Sequence, residues 1–163
     1  MRRSALLAAV LLLSTGCARL TWNDRGWKED EARRSTADLT SEVDRSERGA
    51  RESRTLSSLV AVTDRLRDYL THEGKVPEKL DLLIPKYLPD IPAADAATAG
   101  HTVSDRVTYY PSRVIRDGAI DGSQLKDTGH WGYAFNDRQV VFFVDCTHAN
   151  TRSRPWYRER GAD

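Results

Sequence analysis

Residues 131–144 read Trp-Gly-Tyr-Ala-Phe-Asn-Asp-Arg-Gln-Val-Val-Phe-Phe-Val. Trp131, Tyr133 and Phe135 alternate with Gly132 and Ala134, the period-2 pattern of a strand with one bulky face. Asn136, Asp137 and Arg138 supply a turn, and Val140 to Val144 return as a second strand, so this stretch predicts a β-hairpin. Upstream, Val103 to Tyr110 has the β-branched and aromatic content of another strand, stopped by Pro111. Between Arg116 and His130 the sequence predicts a long loop, with Gly118, Gly122, Gly129, Asp117, Asp121 and Asp127 and no core residues except Ile120 and Leu125. The polar tail after Thr147 is broken by Pro155, Trp156 and Tyr157, which are expected to dock back on the sheet.

Farther upstream the period changes. Leu56, Leu59, Val60, Thr63, Leu66, Tyr69 and Leu70 share one helix face with side chains large enough to pack on a sheet. Gly74 is placed to cap that helix and Pro77 forbids its continuation, so it should end near His72 to Gly74. A short helical turn is expected to start at Pro77 and run through Leu80, Leu82, Leu83 and Ile84 to Pro85. Tyr87, Leu88, Pro89, Ile91 and Pro92 then make an extended apolar crossing, and residues 93–102 a small, polar surface loop. The fold class is α+β, a long N-terminal helix packed on a small antiparallel sheet.

Residues 28–54 hold seven basic and eight acidic residues among 27. Ala32, Thr36, Leu39, Val43, Ser46, Ala50, Ser53, Ser57 and Val60 recur at steps of three and four, which lays a narrow, weakly apolar stripe along one face. Pairs such as Glu47 and Arg51 add a few tenths of a kcal/mol, roughly 0.2–0.5 each. The stripe is too poor in large residues for a coiled coil. A long exposed helix is expected, a spacer whose ~40 residues at ~1.5 Å each reach about 60 Å.

The chain opens with Met1, Arg2 and Arg3, an uncharged run from Ala5 to Leu13, then Ser14, Thr15, Gly16 and Cys17. This is a basic region, an apolar core and a small-residue cleavage zone, the layout of an export signal. The apolar run is far short of the ~20 residues that span a membrane. Thr15-Gly16-Cys17 resembles the lipobox of bacterial lipoproteins, although Ser14 stands where that family usually has Leu. The resemblance implies cleavage before Cys17, lipid on Cys17 and attachment to a membrane. Ala18 rather than Asp in the next position implies the periplasmic face of the outer membrane, or exposure at the surface. Three segments result: a signal peptide over 1–16, a charged helical spacer or tether over 17–54, and a domain over 55–163.

The order of elements in that domain resembles the type IV pilin-like proteins, and most closely the major pseudopilins of type II secretion. The matching residues lie between Leu66 and Tyr157. Leu66-Arg67-Asp68-Tyr69-Leu70-Thr71-His72-Glu73-Gly74-Lys75-Val76-Pro77-Glu78-Lys79-Leu80 resembles the end of the pilin helix. Tyr87-Leu88-Pro89-Asp90-Ile91-Pro92 resembles the crossing that follows, and Gly129-His130-Trp131-Gly132-Tyr133 with Val140 to Val144 resembles the terminal hairpin. Pilins polymerise through a retained hydrophobic helix, which this sequence replaces with a lipobox and a charged segment. The resemblance therefore implies a pilin-like domain on a lipid anchor, working through protein contacts, as an accessory to a secretion or pilus system.

Lysine and arginine number 25 against 24 aspartates and glutamates. A net charge of +1 gives no basic excess for a nucleic-acid partner. With lipid on Cys17, Cys146 is the one cysteine left, and it follows a core strand, so it is expected to be buried and inert. A competing reading makes the chain a thiol- or metal-dependent periplasmic enzyme. Cys146 and His148, two apart, would face the same way on a strand as a nucleophilic pair, and His130 would join them around a metal, though no paired-ligand zinc motif is present. Asp117, Asp121 and Asp127 make an oxygen-rich loop of the kind pseudopilins use for calcium, but without the alternate carboxylates and closing Glu of a known calcium loop. The aromatic residues Trp131, Tyr133, Phe135, Trp156 and Tyr157 are expected to be core rather than a ligand platform. The sequence therefore assigns Cys17 as a lipidation site and assigns no catalytic, metal or cofactor residue, no cofactor and no small-molecule substrate.

Overall fold

The structure, a computed structural model, describes residues 20–160, with side chains from Trp27 onward. Residues 1–16 and Cys17 lie outside the described residues. The elements are a helix α1 over Leu20–Glu73, strands β1 (Val107–Tyr110), β2 (Ile115–Arg116), β3 (Ala119–Ile120), β4 (Trp131–Phe135) and β5 (Val140–Val144), and four 3-10 turns. The chain divides into two compact units, residues up to Asp44 and residues from Arg45 on. In the first unit, every side chain from Trp27 to Asp44 is exposed, Leu39 and Val43 included. Thr36 and Thr40 spend their hydroxyls on the carbonyls of Ala32 and Thr36, one turn back. No helix among the described residues is long and apolar enough to cross a membrane.

In the second unit the helix turns Glu52, Thr55, Leu59, Val62, Leu66 and Tyr69 into the core. The spacing of three and four is the one expected, but the face is rotated: Leu56, Val60, Thr63 and Leu70 flank it half-buried, and Val62 lies at its centre. The rotation follows from Glu52 and Thr55, polar residues that are buried because they have partners. Glu52 accepts from the amide and hydroxyl of Thr151. Thr55 exchanges hydrogen bonds with the backbone of Asp95, whose carboxylate takes a bidentate pair from Arg51 at 2.6 and 2.8 Å. The helix ends as the sequence predicts. Gly74 has φ +68° and its amide reaches the Leu70 carbonyl at 3.0 Å, a left-handed closing residue that lacks a Cβ to clash.

The hairpin is also where it was expected, with Trp131 opposite Val144 and Phe135 opposite Val140 in antiparallel register. The sheet is nevertheless mixed, not antiparallel: β1 lies beside β4 and runs parallel to it, giving the order β1-β4-β5. Parallel neighbours need a crossover rather than a tight turn, and residues 111–130 are that crossover. They are a long loop only in part. Within them β2 and β3 pair antiparallel, and Val114 and Ile120 pack with Ala134, Val141 and Phe143 on the second face of the sheet. The first face carries Trp131, Tyr133, Phe142 and Val144 into a cluster with the helix. Both faces are covered, which is why β5 is a continuous apolar run.

Two further expectations are corrected. The turn after the helix spans Leu80–Leu83, with Lys79 rather than Pro77 before it. The segment 93–102 is not all surface: Ala94 and Ala96 are buried, and Ala94 bridges to Ser104. The tail docks as expected, with Trp156 fully buried.

Gly132 lies against Phe143 so closely that a Cβ there would sit 2.4 Å from the ring. Gly132→Ala should therefore lower stability by about 1–3 kcal/mol, as overpacking does. Gly49, in the helix interior with nothing within 4 Å of an added Cβ, should raise it by about 0.5–1 kcal/mol when changed to Ala. Urea unfolding of the two variants measures both, and equal effects would contradict this packing.

Candidate functional site

At the end of β5 the chain continues through Asp145 and Cys146 to His148, and the docked tail fixes this segment from its other side. The amide of Tyr157 donates to the Cys146 carbonyl at 3.1 Å, and that of Trp156 to the His148 carbonyl at 3.1 Å. Cys146 is wholly buried and His148 is half-exposed, its side chain 49% accessible. Their side chains do face the same way: Cys146 Sγ lies 3.6 Å from His148 Nδ1.

Two more residues reach the same point from loops. His101 Nε2 lies 3.4 Å from His148 Nδ1. Asp127 brings Oδ1 to 3.7 Å from His101 Nε2 and Oδ2 to 3.6 Å from His148 Nδ1. The ligand-type atoms of these four residues all lie within 4.8 Å of one another, and no other such group of three or more His, Cys, Asp or Glu occurs among the described residues.

The local sequence explains the convergence. Gly129, at φ +74°, leaves the space that the His101 ring fills, since a Cβ on it would sit 2.4 Å from His101 Cγ. Gly129 is itself held by its amide, which donates to the Asp145 carbonyl at 2.8 Å. Asp145 is a fully buried carboxylate whose Oδ2 accepts from the Thr128 hydroxyl at 2.7 Å, while its Oδ1 has no partner. Asp127 is aimed by the Thr147 amide, which donates to its Oδ1 at 2.7 Å.

Burial pushes the Cys146 thiol up to about 12, with a smaller opposing contribution from the His148 amide and further raising by Asp127 and Asp145. The thiol is thus protonated at neutral pH, the opposite of what a nucleophile needs. For Asp127, burial works upward but is outweighed by the hydrogen bonds from Thr147 and the nearness of His148 and His101, which hold it below the ordinary value. Two carboxylate oxygens, two imidazole nitrogens and a sulfur, all bearing lone pairs, thus share one small volume. Such a set can be joined by protons or by a cation.

Of the residues singled out in the sequence, Cys146 and His148 come together with Asp127, while His130 does not join them. His101, in a loop read as featureless surface, does. Asp117 and Asp121 converge with Asp127 on no common point: Asp121 is spent on Ser123, Gln124 and Arg116. Of the aromatic residues expected in the core, Trp131, Tyr133 and Trp156 are buried there, Tyr157 is partly buried and Phe135 is exposed at the end of β4. A separate shallow groove of about 630 Å³ is lined by Arg152, Arg154, Arg158 and Arg160 together with Ile120 and Tyr157.

No protein-family model matches the chain, and no match is found among curated proteins or solved structures.

In the presence of a chelator, Cys146 in the native protein should resist a thiol reagent and label only on denaturation. Rapid labelling at neutral pH would contradict the burial that sets its high pKa.

Proposed function

We propose that this chain is a lipid-anchored, non-enzymatic protein of the periplasm or cell surface. In this reading a charged helical spacer carries a pilin-like α+β domain that acts through protein contacts, as an accessory to a secretion or pilus system. The observation that carries it is the change of role along one helix. From Trp27 to Arg48 its side chains are exposed, and from Glu52 on they supply one wall of a core. Among the described residues before Glu52 the helix carries only a narrow, weakly apolar stripe, which gives it little to bury in a filament core and suits a solvated link.

The link needs an attachment at its start. Cys17, preceded by a basic region, an apolar run and small residues, supplies one that replaces the hydrophobic helix of the pilins. The likeness to pilins is supported by the helix closed at Gly74, the crossing that follows it and the terminal hairpin. The parallel pairing of β1 with β4 departs from the antiparallel sheet that the likeness implies. For a protein contact the arginine-lined groove beside the tail offers a basic surface, suited to an acidic segment of a partner.

Labelling of the full chain with palmitate in a bacterial host tests the anchor. The native chain should take up label and sediment with membranes, and Cys17→Ser should lose both while its globular part stays folded. Label retained in Cys17→Ser would overturn the reading.

A further inference from the structure

We propose that His101, Asp127, Cys146 and His148 form a closed, four-ligand zinc site that clips together the loops at one end of the sheet. The separations approach those around a tetrahedral ion, and small side-chain rotations would close them onto one. Zinc bonds of about 2.0–2.3 Å place the ligand atoms of a tetrahedron about 3.3–3.7 Å apart. The nitrogen pair is separated by 3.4 Å and sulfur and the His148 nitrogen by 3.6 Å, the two Asp127 oxygens lie 3.7 Å from His101 and 3.6 Å from His148, and one ligand atom from each residue falls within 4.8 Å of all the others. The spacing is set by groups outside the cluster: the notch over Gly129 seats His101, the Thr147 amide aims Asp127, and the docked tail fixes the backbone of Cys146 and His148.

The donor set selects the metal. One sulfur, two imidazoles and one carboxylate suit zinc, whereas calcium and magnesium take oxygen ligands in larger number. Four protein ligands fill a tetrahedron, which is the mark of a structural site rather than a catalytic one that keeps a position for water. On binding, the Cys146 sulfur bonds to the ion and its proton passes to solvent, with no change of oxidation state. Half-exposed His148 and partly exposed Asp127 leave a way in. The three segments so joined, around His101, Asp127 and Cys146–His148, have no regular secondary structure of their own. A metal clip supplies the stiffness that a small core provides poorly.

The test uses the full chain, freed of metal with a chelator and then titrated with Zn²⁺ against a competing chromogenic chelator, and in parallel with Co²⁺ as a spectroscopic probe. One zinc per chain is expected. Cobalt should give the strong visible bands of a four-coordinate ion and a sulfur-to-cobalt charge-transfer band in the near ultraviolet. Cys146→Ser should remove the charge-transfer band. His148→Ala, at a half-exposed position that leaves no hole in the core, should weaken zinc binding by more than about a hundredfold, since even partners behind a ligand are worth about 10–100-fold. His130→Ala should leave both signals unchanged. Absence of stoichiometric zinc, cobalt bound without the charge-transfer band, or undiminished zinc affinity in folded His148→Ala would each overturn the site.

Discussion

Three buried aromatic side chains hold this domain together by doing two jobs at once. Trp131, Tyr133 and Trp156 bury their rings against the helix, and the polar tip of each ring donates to a carbonyl of the coil that joins the helix to the sheet. Tyr133 reaches Pro77, Trp131 reaches Pro92 at 2.6 Å and Trp156 reaches Ala96 at 3.0 Å. That coil, from the end of α1 to the start of β1, bonds its own backbone at a 3-10 turn, at the turns closed by Tyr87, Leu88 and His101 and at one bridge, and has no longer ladder. A buried carbonyl left without a donor costs about 1–3 kcal/mol, more than the net gain of an ordinary hydrogen bond. The aromatic tips remove that cost at three successive points, so the coil can lie between helix and sheet as part of the core.

The rest of the architecture follows from where those rings sit. Trp131 and Tyr133 occupy alternate positions of the central strand, so the residues between them, Gly132 and Ala134, face the other way and must be small or covered. The crossover from β1 to β4 covers them with Val114 and Ile120. The same crossover delivers Asp127 and Gly129 to the end of the sheet where β5 leaves Cys146 and His148. The candidate metal site is thus a product of the crossover: its four residues come from the coil, the crossover and the tail, and meet where all three pass one end of the sheet.

What the sequence made legible was local. The stop at Gly74 and the hairpin from Trp131 to Val144 depend on neighbouring residues and agree with the structure; the docking of Trp156 agrees as well, being marked by an apolar cluster in a polar tail. The parallel placement of β1 was not legible, because strand direction is set by what covers the sheet and not by the strand itself. The burial of Ala94 and Ala96 was hidden for a similar reason, since small residues carry no periodic signal and are buried here because Trp156 and the helix need close neighbours. At the candidate site the pairing of Cys146 with His148 was visible from their spacing. His101 was not, being 47 residues from His148; the one local hint was Gly129, a glycine whose missing side chain makes room for something distant.

The central claim is that the helix meets two regimes, with exposed side chains from Trp27 to Asp44 and a buried face that forms a wall of the sheet domain from Glu52 on. Native-state hydrogen exchange measures this directly. Amides of Glu52 to Tyr69, Trp131 to Phe135 and Val140 to Val144 should exchange only through global unfolding, and those of Trp27 to Asp44 through local opening at much lower free energy. Uniform protection along the whole helix, or exchange of the β4 amides ahead of the helix wall, would contradict the account.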